Sequence, residues 1–283
     1  MFRIGLSTTG KDICPALFES YNKAGIEAME ISKPYEIQLE MDFPLIKKWA
    51  EEYDVYLWSY HLPFKPFDLF DISSPDKDTR EKAINLMAEF IKKAGDIGID
   101  KYVIHPGGVF KRDETPEIVD VRLSHAAESY AKLADIAESA GGIVAVENMI
   151  PLCVGATHDE FKVLLSLDSR LRVCFDTNHI IPASVEAPGK FIRTFGNKII
   201  TVHISDYDHI QERHWLPGEG KNDWQDILSA LKESGYNGPW LYEIGFKCPK
   251  TIKRPRDLTC EDFVRNAKEI FENKRITTIC ENN

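Results

Sequence analysis

The sequence predicts an α/β protein folded as a single (β/α)8 barrel, the TIM-barrel architecture, and two observations carry that expectation. Six short apolar runs each lead into a histidine or a carboxylate: 55–60 into His61, 102–104 into His105, 143–146 into Glu147, 173–175 into Asp176, 199–202 into His203 and 239–242 into Glu243. Between the runs lie amphipathic segments with helix start and stop signals. Runs rich in Val, Ile, Tyr and Trp read as strands buried on both faces. Helices crossing between such strands demand a parallel sheet. Polar residues at the same end of successive parallel strands converge on one mouth, where a metal and a substrate can be held.

Residues 2–7 and 26–31 supply two strands ahead of those six, making eight. Asp12 and Pro15 open a helix over 16–24 that stops at Gly25, and 45–53 fills the next helical slot. Ser74 and Pro75 precede a helix over 76–94, with Ile84, Met87, Phe90 and Ile91 at helical spacing and Gly95 after it. Thr115 and Pro116 start a helix over 117–140 closed by Gly141 and Gly142, and 158–167 and 188–195 fill two more slots. Asn222 starts 224–234, carrying Ile227, Leu228 and Leu231 up to Gly235. Thr259 starts 261–272, with Phe263, Val264, Ala267 and Ile270 as its buried stripe. Side-chain caps, proline near the start and glycine past the end set these limits. The longest irregular stretches, 62–75, 106–115 and 205–222, all follow strands, where a barrel builds its active face. No linker divides the chain, so residues 1–283 read as one domain.

The 283-residue length suits one such barrel, and five Trp within a 43% hydrophobic composition suffice for its core. A formal net charge of −10 argues against a nucleic-acid partner, because DNA binders rely on Lys and Arg to neutralise phosphates. The one dense basic stretch, 247–256, reads as a phosphate contact or a solvated loop. The six cysteines are scattered without a CxxC pair, and no basic-led apolar stretch opens the chain. No apolar run approaches the roughly 20 residues of a membrane span. Together these predict a reduced, cytoplasmic protein without a membrane partner, and a homo-oligomer is compatible with them.

Glu147, Asp176 and Glu243 each terminate an apolar strand. A bare carboxylate there is costly, and a divalent cation is a common compensation. With His203 the set becomes two Glu, one Asp and one His, a mixed oxygen and nitrogen site suited to one Mn2+, Co2+ or Zn2+ ion better than to Ca2+. Taken singly, each of these residues also fits a cap, a salt bridge or a satisfied core group. Four at corresponding places on successive strands favour the metal. Glu30 ends the second strand, where lining the pocket and a core salt bridge are both open. Trp58, Trp215 and Trp240 could each stack on a bound ring; barrel packing suits Trp58 and Trp240 better, and Trp215, in the loop after the seventh strand, is the better stacking candidate. The stretch 218–220 lacks the Lys-Ser or Lys-Thr of a phosphate-binding loop and reads as a tight turn into the helix at Trp224.

The segments His105-Pro106-Gly107, Val146-Glu147-Asn148, 174–179, 203–206, 216–220 and Tyr242-Glu243 resemble the xylose-isomerase-like barrel superfamily, from Ile4 to about Phe271. That group includes sugar isomerases and epimerases, inosose dehydratases and endonuclease IV. The resemblance implies that Glu147, Asp176, His203 and Glu243 match the metal ligands of the ketose 3-epimerase branch. There the two glutamates flank the sugar and exchange a proton beside its carbonyl through an enediolate. His179 and Arg213 are placed by it on substrate oxygens, with a surface salt bridge as the alternative for Arg213. His61, His105 and Trp215 complete the expected substrate-binding set. The rival branch, endonuclease IV, holds three zinc ions with nine ligands, and His61, His105, Glu147, Asp176, His179, His203, Glu212, His214 and Glu243 stand at those places. Glu212 departs from that pattern, which has Asp there. The expectation is a metal-dependent sugar isomerase or epimerase. The alternatives are an inosose-type dehydratase, an abasic-site endonuclease, and a barrel that binds sugar without catalysis.

Overall fold

The computed structural model describes residues 1–110, 117–180 and 187–280. The expected helix start at Thr115 and Pro116 lies outside them. The described strands are β1 (Ile4–Ser7), β2 (Ala28–Ile31), β3 (Tyr56–His61), β4 (Lys101–Ile104), β5 (Ile143–Glu147), β6 (Arg172–Asp176), β7 (Ile199–His203) and β8 (Trp240–Tyr242). The helices are α1 (Pro15–Ala24), α2 (Tyr35–Glu40), α3 (Phe43–Glu52), α4 (Lys77–Asp96), α5 (Glu117–Ser139), α6 (His158–Leu164), α7 (Pro188–Phe195), α8 (Trp224–Glu233) and α9 (Cys260–Phe271).

The sheet order is β7-β6-β5-β4-β3-β2-β1-β8, and every neighbouring pair is parallel. The remaining gap, between β7 and β8, is bridged just past the strand ends. Ile204 N–H donates to Leu241 O at 2.8 Å and Glu243 N–H donates to Ile204 O at 3.2 Å. The fold is therefore the expected (β/α)8 barrel, closed at its mouth.

Strand side chains alternate with period two, and this sets what the barrel interior holds. Two residues before each polar strand end sits a buried partner: Ala28 before Glu30, Val103 before His105, Ala145 before Glu147, Cys174 before Asp176, Thr201 before His203, Leu241 before Glu243. Most of these fall into small clusters, Ala28 with Trp58 and Leu241, and Val103 with Ala145 and Cys174. Both are separate from the large core in which strands meet helices. Trp58 donates its indole N–H to Thr201 Oγ1 at 3.1 Å. A register shift against β2 after Trp58 reverses the parity of β3, which brings His61 inward as well.

Between β2 and β3 lies α2, a six-residue helix absent from the sequence expectation. Its Gln38 is buried, and the side-chain amide donates to the carbonyls of Lys33 (2.6 Å) and His61 (3.3 Å) while accepting from the Tyr60 hydroxyl. The seam between β1 and β8 is tied by Lys11, also buried. Its ammonium donates to Ser7 O (2.8 Å), Thr9 O (3.2 Å) and Ile244 O (2.6 Å), and burial pushes its pKa down to about 7. The basic stretch 247–256 is partly structural: Arg254 pairs with Glu219 (2.5 Å) out of solvent, and Arg256 pairs with Asp262 (2.5 Å).

Asp71 joins the loops after β3 and β4. It accepts from Ser73 N–H (3.0 Å), Ser73 Oγ–H (2.7 Å), Gly108 N–H (2.9 Å) and Arg122 Nη1–H (2.8 Å). Burial alone would raise this carboxyl, but these donors hold it below its ordinary value. A depressed carboxylate contributes stability that is complete above the unfolded value, about 3.9, and is lost as pH falls through the folded value. Asp71→Asn is expected to lower the urea midpoint at pH 7. The gap from the parent protein should narrow as pH falls below about 4, read by urea melts at several pH values.

Candidate metal centre

Glu147, Asp176 and His203 are the last residues of β5, β6 and β7, and Glu243 follows β8. Each can offer one ligand atom such that all four atoms lie within 4.8 Å of one another, and all four residues are buried. His203 Nδ1 sits 3.2 Å from Glu147 Oε1, 3.4 Å from Glu243 Oε2 and 3.7 Å from Asp176 Oδ2. Its other ring nitrogen faces Glu30 at 3.0 Å. Glu30 is thus a partner behind the histidine rather than a wall of the cavity, and it is held in turn by Ser59 Oγ–H (2.7 Å). A carboxylate on the outer nitrogen of an imidazole fixes the ring and raises the basicity of the inner nitrogen.

Three more imidazoles surround Glu147. His61 Nε2 and His105 Nε2 each lie 3.1 Å from its Oε2, and His179 Nδ1 lies 3.4 Å from its Oε1. Asn148 and Asp176 lock the ends of β5 and β6 together. The Asn148 amide donates to Asp176 O (3.0 Å) and accepts from Asp176 N–H (2.7 Å). Above these groups opens a cavity of about 510 Å3 lined by His61, His105, Glu147, His179 and Glu243, with Glu212 and His214 at its side.

The electrostatics follow from packing so many carboxylates without solvent. Burial would raise Glu147, yet the imidazoles of His203 and His105 hold it well below the usual range. Burial raises Glu243, which His203 and His214 offset only in part while Glu147 and Asp176 push the same way. Burial would lower His61, but Glu147 brings it up to about 9; the carboxylates likewise raise His179 and His203. For His105 burial prevails and its pKa falls, despite Glu147.

Residues 18–261 match the family described as xylose isomerase-like TIM barrel. The chain belongs to that family. Curated relatives include endonuclease 4 homologues, and solved 3-epimerase structures share the fold. It is 28% identical to an uncharacterized protein of Methanocaldococcus jannaschii over 61% of this chain and 60% of that one. It is 26% identical to a probable endonuclease 4 of Acholeplasma laidlawii over 69% and 66%, and 28% identical to an inosose isomerase of Bacillus velezensis over 77% of each. The alignment thus spans less than two thirds of the first two relatives, 60% and 66% of their lengths. Among solved structures, a D-tagatose 3-epimerase-like protein superposes with a TM-score of 0.80 at 19% identity, covering 96% of this chain and 97% of that one. A D-psicose 3-epimerase of Clostridium cellulolyticum H10 gives 0.70 at 20% identity, covering 88% and 87%.

The family implies a metal, and the residues present fit one. Asp176 Oδ2 is buried without a hydrogen-bond partner, a costly state for a carboxylate oxygen unless a cation meets it. The oxygen-rich donor set with one imidazole suits a divalent ion. Among the described residues, the groups able to hold an ion are Glu147-Asp176-His203-Glu243 and His61-Glu147-His203, which share two members. Glu212 and His214, required for a third zinc, belong to neither; they pair with each other at 2.7 Å.

Of the expected substrate-binding residues, His61, His105 and His179 reach the cavity, but Arg213 and Trp215 do not line it. Arg213 is held by Asp208 (Nη2–Oδ2 2.7 Å) and lies over the Trp215 ring at 5.8 Å, and the Trp215 indole donates to Thr251 Oγ1 at 3.0 Å. The alternation of the chain after β7 turns Glu212 and His214 to the cavity and Arg213 away, with His214 at a φ of 51°. Asp206 went unnoticed in the sequence, although its motif was in view. It accepts from Gly218 N–H (2.8 Å), Gly220 N–H (3.0 Å), Asn222 N–H (3.1 Å) and Trp224 Nε1–H (3.0 Å), forming the expected tight turn.

Divalent-metal binding is expected to raise the melting temperature, because an ion held only by the folded state stabilises it by about 2.7 kcal/mol at a hundredfold excess over Kd. Asp176→Asn removes a ligand charge at nearly constant volume and should abolish most of that shift while leaving the metal-free melt close to the parent's. Thermal melts with and without metal, beside metal analysis of the purified proteins, check both parts; an undiminished shift in Asp176→Asn refutes the assignment.

Proposed function

We propose that this protein is a metal-dependent sugar isomerase or epimerase that moves a proton at the carbon beside a carbonyl. The observation that carries the reading is the pairing of Glu147 and Glu243 with Asp176 and His203 at the floor of a cavity large enough for a small molecule. Those four residues would hold one Mn2+, Co2+ or Zn2+ ion, which polarises a substrate carbonyl and acidifies the adjacent C–H bond.

The remaining chemistry belongs to the chain. One of the two glutamates removes the proton from one face of the carbon, and the other returns a proton from the opposite face. His61, His105 and His179 stand beside Glu147. Both nitrogens of His61 are engaged, by Leu62 O at 2.8 Å and Glu147 Oε2 at 3.1 Å, so His105 and His179 are the ones left to donate to sugar oxygens. In this reading the whole chain acts as one domain. A dehydratase shares the first proton removal and differs only in expelling a neighbouring hydroxyl, so product analysis separates the two. The endonuclease reading draws support from relatives that carry that name. Against it stand the acidic charge and the position of Glu212 and His214 outside the ion-holding groups.

Glu147→Gln and Glu243→Gln are each expected to lower kcat by about 100- to 10,000-fold, the usual contribution of positioned proton transfer, with a smaller change in substrate affinity. In heavy water, product formed from a panel of ketoses should carry deuterium at the carbon beside the carbonyl. Product without deuterium points to hydride transfer between carbons and removes the two-glutamate mechanism.

A further inference from the structure

We propose that the substrate carries an apolar or aromatic substituent on the end of the sugar remote from the reacting carbons, seated in a second compartment of the same cavity. This rests on the carbohydrate reading of the metal centre. The cavity, about 510 Å3, falls within the ~300–1,000 Å3 range of pockets that bury drug-sized ligands. That is more room than one monosaccharide ring fills.

The lining is divided. The carboxylates and imidazoles come from the strand ends and form the floor. The segments after β2 and β3 supply a wall whose apolar members are Pro34, Tyr35, Pro63, Phe64 and Pro66, interleaved with Ser32, Glu36 and two lysines. Three of those five are prolines, which lack an N–H, so a polyol chain laid along this wall would lose water without gaining donors. An apolar group there gains burial instead. The wall is braced from behind: Tyr35 packs edge-on against Phe70 at 5.0 Å and Phe90 at 6.0 Å, and Phe64 stacks on His105 at 4.3 Å. The contact with His105 joins the wall directly to the catalytic floor.

A wall recognising an anion would need a free cation. Among the described residues two lysines line the lip, and both have partners. Lys33 donates to the carbonyl of Lys11, and Lys65 lies over the rings of Phe64 and Phe67, 5.3 and 5.4 Å from their centroids. Along the described part of this wall the largest surfaces offered to a ligand are therefore aromatic and aliphatic, with Ser32 and Glu36 as the polar groups at its edge.

The test uses the metal-loaded protein with D-fructose and 6-O-benzyl-D-fructose, which are identical at the reacting end. Solvent deuterium uptake gives kcat/KM for each, and calorimetry gives Kd. The expected result is a preference of about tenfold or more for the benzyl ether, the scale of burying part of an aromatic ring. Phe64→Ala should cut the ratio to within about twofold. Because Phe64 touches His105, the ratio between substrates is the readout and not the rate, and the wild-type ratio stands alone if the variant folds poorly. Equal or weaker use of the ether overturns the compartment while leaving the epimerase reading intact. If neither sugar takes up deuterium, the epimerase reading falls. The binding ratio then decides the compartment: tighter ether binding supports it, and equal binding overturns it.

Discussion

Four carboxylates, those of Glu30, Glu147, Asp176 and Glu243, share a nearly dry space at one end of the barrel, with residue exposures of 0%, 1%, 0% and 8%. Like charges so placed repel strongly, because burial weakens the screening that solvent gives at a surface. The surroundings answer this cost. Imidazoles stand between the carboxylates, Glu30 is kept on the far side of His203, and Asn148 and Ser59 spend their hydrogen bonds on holding strand ends and carboxylate oxygens in place. One oxygen of Asp176 is left over, and it is the structure's plainest statement of what is meant to fill the middle.

The period of a strand explains why this arrangement was visible in the sequence. Strands buried on both faces read as apolar runs, and a polar residue closing such a run stands out. Glu147, Asp176, His203 and Glu243 were legible for that reason, and so was the alternation of strands with capped helices. Other features leave no such trace. A six-residue helix such as α2 is too short to show helical periodicity, so Gln38 gave no sign of being buried behind His61. Lys11 reads as an ordinary surface lysine, because only the folded chain brings three carbonyls around its amine.

The loop after β7 shows the limit most clearly. Resemblance chose Arg213 for the substrate, but in a loop one residue of parity decides which side chain faces inward. Glu212 and His214 face the cavity and Arg213 is turned to Asp208. Loop conformation depends on contacts made by Asp206 and Asn178 elsewhere in the chain, such as Arg213 N–H donating to Asn178 Oδ1 at 3.2 Å. Neighbouring residues in the sequence do not reveal those contacts. Trp215 is a similar case, with its indole committed to Thr251 in the loop after β8.

The seam tied by Lys11 joins the first strand of the barrel to the last. Pairing between such distant segments is slow to form, because the entropy of closing the intervening chain must be met before the contact repays it. Glu243 takes its place beside Glu147 only when β8 docks against β1. A chain emerging during synthesis therefore carries three of the four clustered residues, Glu147, Asp176 and His203, before the fourth exists. Before β8 docks, the chain can assemble the His61-Glu147-His203 group but not the four-residue one. The four-residue group, with Glu243 as its last member, is therefore complete only in a barrel that has closed.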